Sequence, residues 1–77
     1  MTIFYLTRID PGRNERRYYL VQVGATLLGE HCVSRRWGRI AGQTRRITPL
    51  LFPSHDNALY YAQRLVRRKL TRGYSQT

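Results

Sequence analysis

Arg16-Arg17-Tyr18-Tyr19-Leu20-Val21-Gln22-Val23 decides how the rest of the chain is read. Alternate residues of a strand point to the same side, so Tyr18, Leu20 and Gln22 share one face and Tyr19, Val21 and Val23 the other. Upstream, Ile3-Phe4-Tyr5-Leu6-Thr7-Arg8-Ile9 is β-branched and aromatic, and it runs into a turn at Asp10-Pro11-Gly12-Arg13-Asn14. Downstream, Gly24-Ala25-Thr26 is a short connection. Leu27 to Trp37 then reads as a longer strand, bending at Gly29 and pairing antiparallel with the one before. Gly38-Arg39-Ile40-Ala41-Gly42 reads as a turn, and Gln43 to Phe52 as a returning strand. Pro49 lacks an N–H, which places it at a sheet edge or a bulge.

After Pro53 the period changes. Ser54 is an N-cap and Asp56 falls in the first turn, where a negative charge suits the helix dipole. At about 100° per residue, Ala58, Leu59, Ala62, Leu65, Val66 and Leu70 fall in one arc, and Tyr60, Arg64, Arg67 and Arg68 opposite it. The helix runs to about Thr71, with cations in its last turns and Gly73 as its C-cap. The expected fold is α+β: an antiparallel sheet of about four or five strands with one amphipathic C-terminal helix packed on it. Without internal repeat or linker, residues 1–77 read as one domain.

The 77 residues hold 14 Lys or Arg against 4 Asp or Glu, a net charge of +10. A domain this small buries only about 60% of its unfolded surface, which leaves little room for a deep catalytic cleft. Forty-two per cent hydrophobic residues supply a core, so the charge does not mark a disordered tail. The longest uncharged run, Tyr18 to Gly29, is 12 residues, too short for the ~20 that cross a bilayer as a helix. The N-terminus lacks the basic and apolar regions of a signal peptide, and a cytoplasmic setting without a membrane is expected.

The charge attracts polyanions, with nucleic acid as the default partner. The 13 Arg to 1 Lys suits bidentate phosphate contacts and stacking, although Arg-rich codon usage also explains the ratio. The four acids, Asp10, Glu15, Glu30 and Asp56, are scattered, and His31, His55 and Cys32 offer no ligand set. No enzyme, metal site or cofactor is expected, and Cys32 reads as a small buried hydrophobe. Trp37-Gly38-Arg39, preceded by Arg35 and Arg36, has two readings: a stacking residue amid phosphate-binding guanidiniums, or a core tryptophan. Arg16-Arg17, Arg35-Arg36 and Arg45-Arg46 each set one guanidinium on each face, so that one from each strand lines up in a phosphate-binding stripe or a solvated face. Lys69 lies mid-arc on the apolar side of the helix, where it either snorkels or is held for a contact.

The order of strands, Arg36-Trp37-Gly38-Arg39-Ile40, Gly42-Gln43, and a helix ending near Lys69 and Arg72-Gly73-Tyr74 resembles the WGR domain over roughly residues 3–74. The resemblance implies a small antiparallel sheet with a helix packed on it. In DNA-damage-dependent poly(ADP-ribose) polymerases such a domain binds DNA at a strand break and relays that event to a catalytic domain; in bacteria it occurs alone or attached to others. By that likeness Trp37 stacks on the terminal nucleotide's sugar and Gly38 lets the backbone come close. Arg39 contacts phosphate or a separate protein, and Gln43 helps place the DNA backbone. The family's usual run after the motif is Val or Ile, Gly, two variable residues, Gly and Gln. Here Ile40-Ala41-Gly42-Gln43 is shorter, so the hairpin should be tighter.

The first expectation is a stand-alone DNA-binding module for strand ends or nicks. Arg35, Arg36, Arg39, Arg45 and Arg46 supply charge, and Trp37 stacks. The second is an adaptor docking an acidic protein partner, the motif serving to shape the hairpin. The choice of DNA or RNA and the oligomeric state stay open.

Overall fold

The computed structural model describes residues 1–76, with the side chains of Arg46 and Ile47 outside that description. Five strands, β1 (Thr2–Asp10), β2 (Glu15–Ala25), β3 (His31–Arg39), β4 (Thr44–Phe52) and β5 (Ser75–Gln76), form one antiparallel sheet in the order β4-β3-β2-β1-β5. The helix α1 (His55–Leu70) packs on it, as expected for an α+β chain. The helix is neither long nor apolar enough to cross a membrane.

Alternation along β2 sets the core. Tyr19, Val21 and Val23 face inward with Leu6 of β1 and Val33 of β3, under Ala58, Ala62, Leu65 and Val66 of α1. Ala58 and Ala62, one turn apart, let the helix lie close to the sheet, while each buried Leu or Val contributes about 1.5–3 kcal/mol. The Ser54 hydroxyl caps α1 by accepting from Asn57 N–H at 3.1 Å. Gly73, at φ 93°, closes the helix. Its N–H donates to Leu70 O at 3.3 Å and that of Tyr74 to Lys69 O at 3.2 Å, a Schellman pair that turns the chain back toward the sheet.

Two readings of the sequence are corrected, and one short strand is added. Leu27 and Leu28 are exposed in a turn, not in a strand. Gly29, at φ 85°, donates to Thr26 O, and Thr26 N–H donates to Glu30 O, so hairpin closure outweighs the apolar pair. Second, β3 runs through Gly38 and Arg39, because Tyr18 pairs with Gly38 and Arg17 with Arg39; the turn starts only at Ile40. The added strand is Ser75–Gln76 on β1, a pairing set by the helix closure rather than by local propensity.

Pro49 meets both expectations, since β4 is an edge strand and is bulged at that point. Leu50 lies opposite Val33 but Ile47 opposite Arg35, so Thr48 and Pro49 together face Ser34. In the tight β3–β4 turn Gly42 N–H donates to Arg39 O at 2.9 Å, and Ala41 sits at φ 63°. A Cβ disfavours that left-handed conformation. Ala41→Gly is expected to raise stability by about 1 kcal/mol; a urea midpoint no higher than wild type would contradict it.

Candidate nucleic-acid interface

Strand register decides which basic residues meet. Leu6, Tyr19, Trp37 and Arg45 occupy one row across the sheet, and Arg8, Arg17 and Arg39 the next, all on the side that carries α1. The helix covers the first rows and ends at Leu70, with Lys69 reaching the Tyr19 ring. Beyond it lies a cavity of about 560 Å³, lined by Trp37, Gly38, Arg39, Gln43 and Arg45 around the β3–β4 turn, with Arg17 and Tyr74 closing it.

Trp37 has both characters weighed for it. Half-buried, it packs at the edge of the core and stacks on Tyr19 with ring centroids 5.9 Å apart, yet it lines the cavity. Tyr74, delivered by the Gly73 turn, meets Tyr19 edge-on at 6.4 Å. Lys69 is held, not merely snorkelling: its Nζ lies 4.5 Å from the centre of the Tyr19 ring and 5.6 Å from that of Tyr74. Burial lowers its pKa, helped by the charges of Arg72, Arg35 and Arg68. An anion in the neighbouring cavity would relieve that crowding of positive charge.

The expected site residues divide. Trp37, Gly38, Arg39, Gln43 and Arg45 converge on the cavity. Arg35 is on the same side of the sheet but turned toward the core, its Nη1 donating to Tyr19 Oη at 3.3 Å and its guanidinium carbon 6.0 Å from the Trp37 ring. Arg36 shares a row with Leu20, on the opposite face of the sheet. It pairs in register with Arg46, whose side chain lies outside the described residues. Tyr74 belongs to the cavity and was not expected there, and Arg17, expected only as one of a strand pair contributing to a stripe, joins it. Alternation already puts Arg17 on the face of Tyr19, but only the β2–β3 register brings that face to Arg39.

Two motif residues are engaged within the chain. Arg39 Nη1 donates to Asn14 O at 3.0 Å and Nη2 to Asn14 Oδ1 at 3.3 Å, tying the β3 end to the β1–β2 turn. A Cβ on Gly38 would run into the carbonyl oxygen of Gln43, so the close backbone approach at this glycine is to its own hairpin. Among the described residues the ion pairs are Arg8 Nε with Glu15 Oε2 at 3.4 Å and Arg13 Nε with Asp10 Oδ2 at 3.9 Å. Arg17, Arg39 and Arg45 therefore line the cavity without a carboxylate partner among the described residues. No group of three or more metal-ligating side chains occurs among the described residues.

Residues 2–77 match the WGR domain. The chain belongs to the WGR domain family. It is also 37% identical over 70 residues to an uncharacterized protein, y4dW, of Sinorhizobium fredii (strain NBRC 101917 / NGR234), a match covering 91% of this chain and 34% of that protein. The chain thus spans about a third of the length of that curated relative. No solved structure matches it. WGR is a binding family, not a catalytic one, and in poly(ADP-ribose) polymerase-like proteins a WGR domain is a nucleic-acid-binding module. In this WGR domain Trp37, Gly38 and Arg39 are consecutive residues of β3, so only Trp37 and Arg39 share a face.

Proposed function

We propose that this WGR domain binds DNA at a strand end or nick through the cavity beyond the C-terminus of α1. One observation carries the reading: Trp37 and Tyr74 share that cavity with Arg17, Arg39 and Arg45, three guanidiniums that no carboxylate neutralises among the described residues. Its volume of about 560 Å³ suits one nucleotide better than a continuous duplex groove. A terminal sugar or base packs on the indole of Trp37, whose other contacts with Tyr19 hold it rigid. Arg17 and Arg45 take the flanking phosphates, for which the planar guanidinium is well shaped. Arg39, with two donors spent on Asn14, contributes charge and the remaining N–H groups.

The test is anisotropy of labelled intact duplex, nicked duplex and single-stranded DNA titrated with wild type, Trp37→Ala and Trp37→Leu. Leucine keeps bulk against Tyr19 without an indole face, and circular dichroism checks that each variant folds. Both substitutions are expected to weaken binding of nicked DNA by roughly 5- to 150-fold, the value of ~1–3 kcal/mol for one stacked base. Equal affinity for all three DNA forms, unchanged in both variants, would reduce the cavity to nonspecific attraction.

The intramolecular contacts of Gly38 and Arg39 support a second reading, an adaptor for an acidic protein partner in which the motif shapes the hairpin. Under it Trp37→Leu damages stability more than DNA affinity.

A further inference from the structure

The two edges of the sheet are protected differently. β4 carries Pro49 and a bulge, both of which discourage another strand from adding there. At the other edge, among the described residues, β5 pairs with β1 at Leu6 and Thr7. Among the described residues, the outer side of Thr2–Phe4 has no strand partner. That segment, Thr2-Ile3-Phe4, is uncharged, β-prone and free of proline. Beside it a groove of about 330 Å³ runs between β1 and α1, lined by Phe4, Gln63, Val66, Arg67, Leu70 and Gln76. Its wall is apolar at Phe4, Val66 and Leu70, with Leu70 41% exposed, and its one charged lining residue is Arg67.

We propose that this edge and groove bind an extended acidic peptide that adds to β1 as a further strand. The direction follows from β5: a peptide opposite Thr2–Phe4 and antiparallel to β1 runs the same way as Ser75 and Gln76. Main-chain hydrogen bonds to the open edge hold it, and alternate side chains enter the groove. The residue opposite Phe4 lies on the helix side, as Phe4 does, so an apolar side chain there rests on Phe4, Val66 and Leu70. A carboxylate on the same side of the peptide reaches Arg67. Charge selects the occupant: a second copy of a chain at +10 is repelled, whereas an acidic segment is attracted. The groove is lined by none of the residues of the Trp37 cavity, so this site does not depend on the DNA reading.

The probe is the labelled peptide acetyl-Thr-Glu-Val-Leu-Thr-Glu-amide, titrated against the full chain by anisotropy. Strand addition uses the N–H groups of every second peptide residue. Of two N-methylated versions, one blocked at odd and one at even positions, one is expected to lose at least tenfold in affinity while the other binds nearly as the parent does. Arg67→Glu and Leu70→Glu, both at exposed helix positions, should each weaken binding at least fivefold, while Trp37→Leu leaves it unchanged. Equal binding of the two methylated peptides, or no effect of Arg67→Glu, would overturn strand addition. Sedimentation showing a dimer of the chain that Leu70→Glu dissociates would also overturn it, because the edge would then belong to a second copy.

Discussion

Gly38→Ala is expected to cost about 3 kcal/mol or more of folding stability, at or above the upper end for overpacking. The added Cβ meets only backbone: the Gln43 carbonyl oxygen in hard contact, its carbonyl carbon at 3.4 Å and Thr44 Cα at 3.5 Å. No side chain can rotate away, so β3 and β4 must separate where the Trp37 cavity is built. At roughly 0.05–0.15 kcal/mol per residue, a chain of this size has a total stability of about 4–12 kcal/mol, and the loss is a large share of it. Gly42→Ala is the control, because its Cβ would meet Arg39 Cβ at 3.1 Å and Arg39 O at 3.3 Å, contacts that a few tenths of an ångström relieve. Urea unfolding of both variants reads the difference. A Gly38→Ala midpoint close to that of Gly42→Ala would show that the hairpin is not pinned at Gly38.

DNA affinity is expected to fall about 1,000-fold between 50 and 200 mM salt if about six phosphates are neutralised, since each releases condensed counterions. Arg17, Arg39 and Arg45 in the cavity supply half of that number, and Arg35, Lys69 and Arg72 nearby can supply the rest. Replacing Arg17 and Arg45 together by Gln should lower the slope of log affinity against log salt by about 2. Arg64→Gln, on the exposed face of α1 beside Tyr60, should change it far less. A shallow slope in the wild type, or equal losses from the two sets, would remove the cavity as the phosphate site. The comparison also tests whether the charge of α1 joins the interface or only keeps the domain soluble.

Much of this is legible in the amino-acid sequence. The two faces of β2, the Ser54 cap, the buried arc Ala58, Ala62, Leu65 and Val66, and the irregularity at Pro49 are local properties, fixed by the pleat, the helical turn and a missing N–H. Leu27 and Leu28 misled because strand propensity rewards apolar residues, while the hydrogen bonds of Thr26 with Gly29 and Glu30 close a turn there. Alternation also divides each Arg pair between the two faces: Arg35 shares the face of Trp37, and Arg36 takes the other.

The sequence by itself therefore determined the α+β class, the family, the excess of positive charge and the residues around Trp37. Only the tertiary structure decided which charges meet. Arg17 comes to Arg39 through the β2–β3 register, and Arg39 to Asn14 across 25 residues of chain. Tyr74 reaches the ring of Tyr19 because Gly73 turns the chain back after α1. These contacts depend on strand register and on where a helix stops, quantities set by packing the whole core and not by any short stretch of residues.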